Sequence, residues 1–209
     1  MPTNHQFNHG TDVDVELQYD EQGNAYAVST TDIPPGKPIH MSYGDPTNPS
    51  KLFATYGFLD ESSPATFCKI MNITPTPELR DIGLDFSRML FFKETGEISQ
   101  EVWDVILYDF LKGDKQAQQG FYQAHMGGDF QTKQQYHQHY LYDTSTILKK
   151  HVDDFIATLD TLGQKTAGKD MNEHPRIPVI LQHNEFVRQT FLTVKNSLDP
   201  IVAQAGGQY

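Results

Sequence analysis

Two tyrosine-glycine pairs, Tyr43-Gly44 and Tyr56-Gly57, punctuate the stretch HMSYGDPTNPSKLFATYGFL at residues 40–59. They are either two ordinary turns or two sides of one site. Other residue types offer less. Nine histidines are present, but His137 and His139 are two apart in a helical stretch and so point to different sides. His5 and His9 are four apart in a segment without helical character, and no HExxH or Cys/His zinc spacing accompanies them. Solvated or hydrogen-bonded histidines are the expectation, with no metal. There is no glycine-rich phosphate loop and no Gly-x-Ser-x-Gly elbow.

The elements that must position these tyrosines are readable from pattern. Residues 13–20, VDVELQYD, alternate Val13, Val15, Leu17 and Tyr19 against polar positions, the period of a half-buried strand. DEQGN at 20–24 supplies a turn and AYAVST a returning strand, which together predict a hairpin. After the rigid DIPPGKP, IHMSYG reads as a short strand with Ile39, Met41 and Tyr43 on one face. A short capped helix follows, with Asn48 as N-cap, Pro49 at the first helical position and Gly57 just past the end. Leu52, Phe53 and Tyr56 are expected to share its buried face. The first Tyr-Gly therefore ends a strand and the second ends a helix.

Composition changes at ITPTPEL, residues 73–79, which marks a boundary between residues 1–75 and 76–209. Beyond RMLFF and the turn KETG, Ser99 is a plausible N-cap for a helix carrying Val102, Trp103, Ile106, Leu107, Phe110 and Leu111. Asp114 is placed to cap a second helix reaching Met126, which Gly127-Gly128 stops. Apolar residues recur at three- and four-residue spacing from about 130 to 163 and again from Pro178 to about Ala203. Short connections between such stripes predict an antiparallel helical bundle. The fold class expected is α+β, a strand-rich first part followed by an all-α second part.

Bulk properties narrow the functions. The 209 residues suffice for one large or two small domains. A net charge of −11 argues against nucleic acid or an anionic membrane as partner, since a basic surface would carry that affinity. The same acidity is compatible with a basic protein segment. The single cysteine, Cys68, excludes an internal disulfide and fits a reducing, intracellular compartment. No apolar run approaches the roughly 20 residues of a membrane span.

Four segments stand in a distinctive order: Asn8-His9, then IPPGKPI (33–39), then MSYGD (41–45), then NPSKLFATYGFLDE (48–61). This order resembles the C-terminal half of a SET domain, in the branch typified by Rubisco large-subunit lysine methyltransferase. The helical remainder is similar in position and helix content to that branch's substrate-binding domain. The resemblance implies an S-adenosylmethionine-dependent protein-lysine N-methyltransferase. It implies that Asn8 and His9 contact the cofactor, Asn8 through its amide. Tyr43, on a segment threaded through the family's pseudoknot, would stand beside the methyl group as the catalytic tyrosine. Tyr56 and Phe58 would line the lysine channel or the cofactor wall.

That chemistry suits those residue types. Methyl transfer from a sulfonium to an amine is an in-line displacement, so a lysine of pKa about 10.4 must arrive neutral. An aromatic channel disfavours ammonium by desolvation, while its π faces hold the cationic donor. A tyrosine hydroxyl can orient the amine toward the methyl. Neither a metal nor a covalent intermediate is required.

The family pattern is broken in two places. His5 stands where the family's Pro-x-x-Asp-x-x-Asn-His has its acid. The Gly-x-Gly cofactor strand, which precedes Asn-His in the family, is not found in this sequence. The resemblance therefore implies part of a longer methyltransferase, inactive alone, or a protein-binding module that retains the SET remnant as scaffold. A sister branch of the same architecture that methylates a histidine is the alternative these residues also allow. The protein substrate, methylation degree and compartment (cytoplasm, nucleus or plastid) stay open, as does the oligomeric state.

Overall fold

An Asp and a Gly reverse the chain at its first hairpin. Asp20 Oδ1 accepts from the amides of Gln22 at 3.0 Å and Asn24 at 2.8 Å, and Gly23 takes the left-handed φ of 80° that the turn requires. A computed structural model describes residues 7–10, 12–44, 47 and 49–206, with 205 and 206 by backbone alone. Two compact units result, Met1–Thr47 and Asn48–Tyr209.

In the first unit β1 (Asn8–His9), β2 (Val15–Tyr19), β3 (Ala25–Ser29) and β4 (His40–Met41) form two small sheets. β2 and β3 are the expected antiparallel hairpin, with Val15 opposite Ser29 and Tyr19 opposite Ala25. Burial along β2 declines toward the turn, from buried Val15 through half-buried Leu17 to exposed Tyr19. β1 pairs with β4 in parallel, Asn8 opposite His40 and His9 opposite Met41. The strands approach closely beyond this pairing, since a Cβ added at Gly10 would lie 2.7 Å from His40 Cβ.

The second unit begins with α1 (Pro49–Tyr56), which starts and stops where its punctuation places it, Gly57 closing it at a φ of 78°. The N-cap expected at Asn48 lies outside the described residues. β5 (Ala65–Phe67), fully buried, pairs antiparallel with β6 (Leu90–Phe92). Between them runs α2 (Pro77–Ile82), capped by Thr76, whose Oγ1 accepts from Leu79 N at 3.2 Å. The boundary expected at 75/76 thus falls inside this unit, on a crossover whose Leu79 and Ile82 are buried in the core.

Helices dominate the rest: α3 (Gln100–Phe110), a 3-10 turn at Leu111–Gly113, α4 (Lys115–Met126), α5 (Phe130–His139), α6 (Leu141–Thr166) and α7 (Ile177–Gly206). Asp114 caps α4 as expected, accepting from the amides of Gln116 and Ala117. Ser99 holds the N-cap position of α3 differently. Its hydroxyl accepts from Leu90 N and donates to Arg88 O, so it ties the helix start to β6. The periodic stretch from 130 to 163 divides at Tyr140 into α5 and α6.

α6 and α7 run antiparallel, as their ion pairs show: Lys149 meets Asp199, Asp153 meets Lys195, and Asp160 meets Arg188. Val102, Val105, Leu107, Phe121, Leu148, Val152, Phe191 and Val194, all fully buried, join the stripes of α3, α4, α6 and α7 into one core with Phe91 of β6. Helices make up 54% of the described residues beside a few short strands, so the class is mixed α+β.

Candidate functional site

The parallel pairing of β1 with β4 brings two of the expected site residues together. Tyr43, two residues past β4, donates its amide to His9 Nδ1 at 3.3 Å. The rings lie 5.5 Å apart, tilted by 50°. Accepting at Nδ1 places the His9 ring proton on Nε2. Tyr43 turns its hydroxyl back to donate to the carbonyl oxygen of Phe7. Asn8, beside them on β1, is exposed and His9 half-buried, so the amide of Asn8 is accessible to a ligand.

Asp14 underlies this arrangement. Only 2% exposed, its carboxylate accepts from Lys37 Nζ at 2.5 Å and from the amide of His40 at 3.0 Å. It thereby joins β2 and the IPPGKPI turn to the first residue of β4. The Lys37 hydrogen bond, then that of the His40 amide, holds its carboxyl below the ordinary carboxylate range. Sequence pattern hides this role, because an acid flanked by Val13 and Val15 reads as an ordinary outward position of a strand.

Tyr56 and Phe58 belong to the second unit. Their rings stack at 6.2 Å with 29° between planes. Of the three residues expected on one buried face of α1, Leu52 is buried at 1% exposure, but Tyr56 is exposed at 48%. Phe53, half-buried, lies flat on the ring of His183 at 4.3 Å. The correction follows from geometry: the core-facing stripe of a two-turn helix is narrow, and here it centres on Leu52.

The second unit also holds a pocket of about 470 Å³ lined by Trp103, Phe130, Lys133, His137 and Leu141, among others. Directly behind it, Asp104 on α3 is 2% exposed. It accepts from Lys133 Nζ at 2.5 Å and Gln100 Nε2 at 2.9 Å, and pairs with His137 Nε2 at 2.7 Å. Burial alone would push this carboxyl up; the hydrogen bonds of His137, Lys133 and Gln100 outweigh it and hold the group low. An acid within an apolar helical stripe, between Trp103 and Val105, is the sequence signal for such a buried network.

Among the described residues no group of three His, Cys, Asp or Glu side chains is arranged to hold a metal ion. No described helix is long and apolar enough to cross a membrane. The chain matches no protein-family model, no curated protein and no solved structure.

Proposed function

We propose that this chain carries the Asn-His and Tyr-Gly portion of an S-adenosylmethionine-dependent protein-lysine methyltransferase site of the SET type. One observation supports this reading above the others: the parallel alignment of β1 and β4 sets His9 against Tyr43. Residues far apart in sequence are thus neighbours, as a cofactor-contacting pair and a catalytic tyrosine would have to be. In this reading the exposed Asn8 amide and His9 hold the cofactor, which supplies an electrophilic methyl group when bound. Tyr43, whose hydroxyl proton is committed to the Phe7 carbonyl, receives a substrate amine N–H at its oxygen and so orients the nitrogen lone pair.

A test that does not need turnover is photochemical cross-linking. Irradiation of the chain with methyl-tritiated S-adenosylmethionine is expected to label the peptides carrying His9 and Tyr43. Label spread over surface aromatics such as Phe130, with none on those two peptides, would count against the assignment.

A second reading, a protein-binding module, is favoured by one separate observation. The pocket between α3, α5 and α6 presents Trp103 and an 80% exposed Phe130 beside a charged floor, a composition suited to anchoring a partner's side chain. Binding of a protein partner that is lost in Trp103→Ala, with no S-adenosylmethionine affinity, would select it.

A further inference from the structure

Lys69 is the one described non-glycine residue with a left-handed backbone, at a φ of 59°. Glycine or asparagine adopts that conformation with less strain, so a lysine kept there points to a use for its side chain. The position is unusual in charge as well. Lys69 lies between the buried Cys68 and Ile70, and among the described residues no carboxylate pairs with it. Its nitrogen donates instead to Ser50 Oγ at 2.9 Å. Ser50 Oγ lies 3.1 Å from Nε2 of His183. Three elements remote in sequence, the first turn of α1, the segment after β5, and α7, thus bring an amine, a hydroxyl and an imidazole into one chain of hydrogen bonds.

The surroundings set the protonation states along that chain. Burial disfavours the ammonium form of Lys69. His183, 9% exposed and stacked on Phe53, is pushed down to about 4 by burial and then by the nearby Lys69 charge, so its ring is neutral near physiological pH. A neutral imidazole at one end can receive a proton passed through the hydroxyl from an amine at the other. Stabilisation of a folded core does not call for this arrangement, because a glycine at position 69 would avoid both the strain and the half-buried charge.

We propose that Lys69 is a covalent modification site: a nucleophilic amine that takes an acyl group from a thioester, with Ser50 and His183 relaying its proton. The Nζ lone pair forms a bond to the thioester carbonyl carbon, and the carbon–sulfur bond breaks with its electron pair leaving on sulfur. One N–H proton passes to Ser50 Oγ while the Ser50 proton moves to His183 Nε2, and the imidazolium returns it to the thiolate. The products are an amide on Lys69 and a free thiol.

Incubation of the full chain with acetyl-coenzyme A near neutral pH, followed by peptide mass spectrometry, tests this. Lys112 and Lys150, with side chains 69% and 75% exposed, are the internal references. Lys69 is expected to be acetylated several-fold faster than either, despite being less accessible. Ser50→Ala should bring its rate down to theirs and leave theirs unchanged. His183→Phe, which preserves the stack on Phe53, should do the same and provides a second relay variant. The proposal is overturned if Lys69 in the unaltered chain reacts no faster than Lys112 and Lys150. It is equally overturned if its faster reaction persists in both relay variants.

Discussion

The amide of Tyr43 donates to Nδ1 of His9 across 3.3 Å, while the Tyr43 hydroxyl donates to the Phe7 carbonyl on the same strand segment. The tyrosine is thereby fixed at both its backbone and its side-chain tip against one stretch of chain. Tyr43→Phe removes only the second of these bonds. Net loss of one hydrogen bond costs about 1 kcal/mol, so urea denaturation should show a small destabilisation of that size. The Tyr43 amide should stay protected from hydrogen exchange, because the first bond survives.

Asp104 is the most heavily bonded buried charge in the helical unit. Its replacement by Asn leaves Lys133 and His137 without their carboxylate in a site that is nearly closed to water. Breaking a buried pair from one side costs about 3 kcal/mol. Chemical denaturation of Asp104→Asn should show a loss of that order. A change below about 1 kcal/mol would mean that water reaches the network freely.

Acid sensitivity should begin well above the carboxylate range. His183 is depressed from 6.5 to about 4 in the folded chain, and burial lowers His151 and His125 in the same direction. Between those two values the unfolded chain binds more protons than the folded one, so stability falls as pH falls. The His183 contribution is fully present above about 6.5 and is lost as pH drops toward about 4. Thermal unfolding followed across this window should show a steady decline, on the order of 3 kcal/mol from His183. The variant His183→Phe should flatten the slope, with the residue held neutral at every pH.

The α6–α7 ladder sets direction more than strength. Arg188 and Asp160 are 31% and 46% exposed at a separation of 2.7 Å. Water and salt screen such a pair, so Arg188→Ala should move the denaturation midpoint little, and less still in high salt. By contrast Phe191→Ala, which empties a fully buried position on the same helix, should cost about 3–5 kcal/mol. Denaturant titrations of the two variants separate these cases.

What could be read from sequence was local. The Asp20–Asn24 turn, the Asp114 cap, the Pro49 start and the Gly57 stop each depend on residues within a few positions, and each stands where the pattern places it. The three-residue β5 was not legible, because Ala65-Thr66-Phe67 is too short to show a period and its partner lies beyond α2. Tyr56 was misplaced because spacing defines a helix face without saying how much of that face the core covers. The Ser50–Lys69–His183 and Asp104–Lys133–His137 groups are built by tertiary packing, and no spacing in the sequence records which helices will meet.

The central claim is that Asn8, His9 and Tyr43 form a surface for S-adenosylmethionine. Titration of the isotopically labelled chain with that cofactor, followed by amide and side-chain NMR, tests it most directly. The account predicts saturable shifts concentrated on Asn8, His9 and Tyr43, abolished by Asn8→Ala together with His9→Ala. Absence of shifts at these residues at millimolar cofactor, with the fold intact, would contradict it.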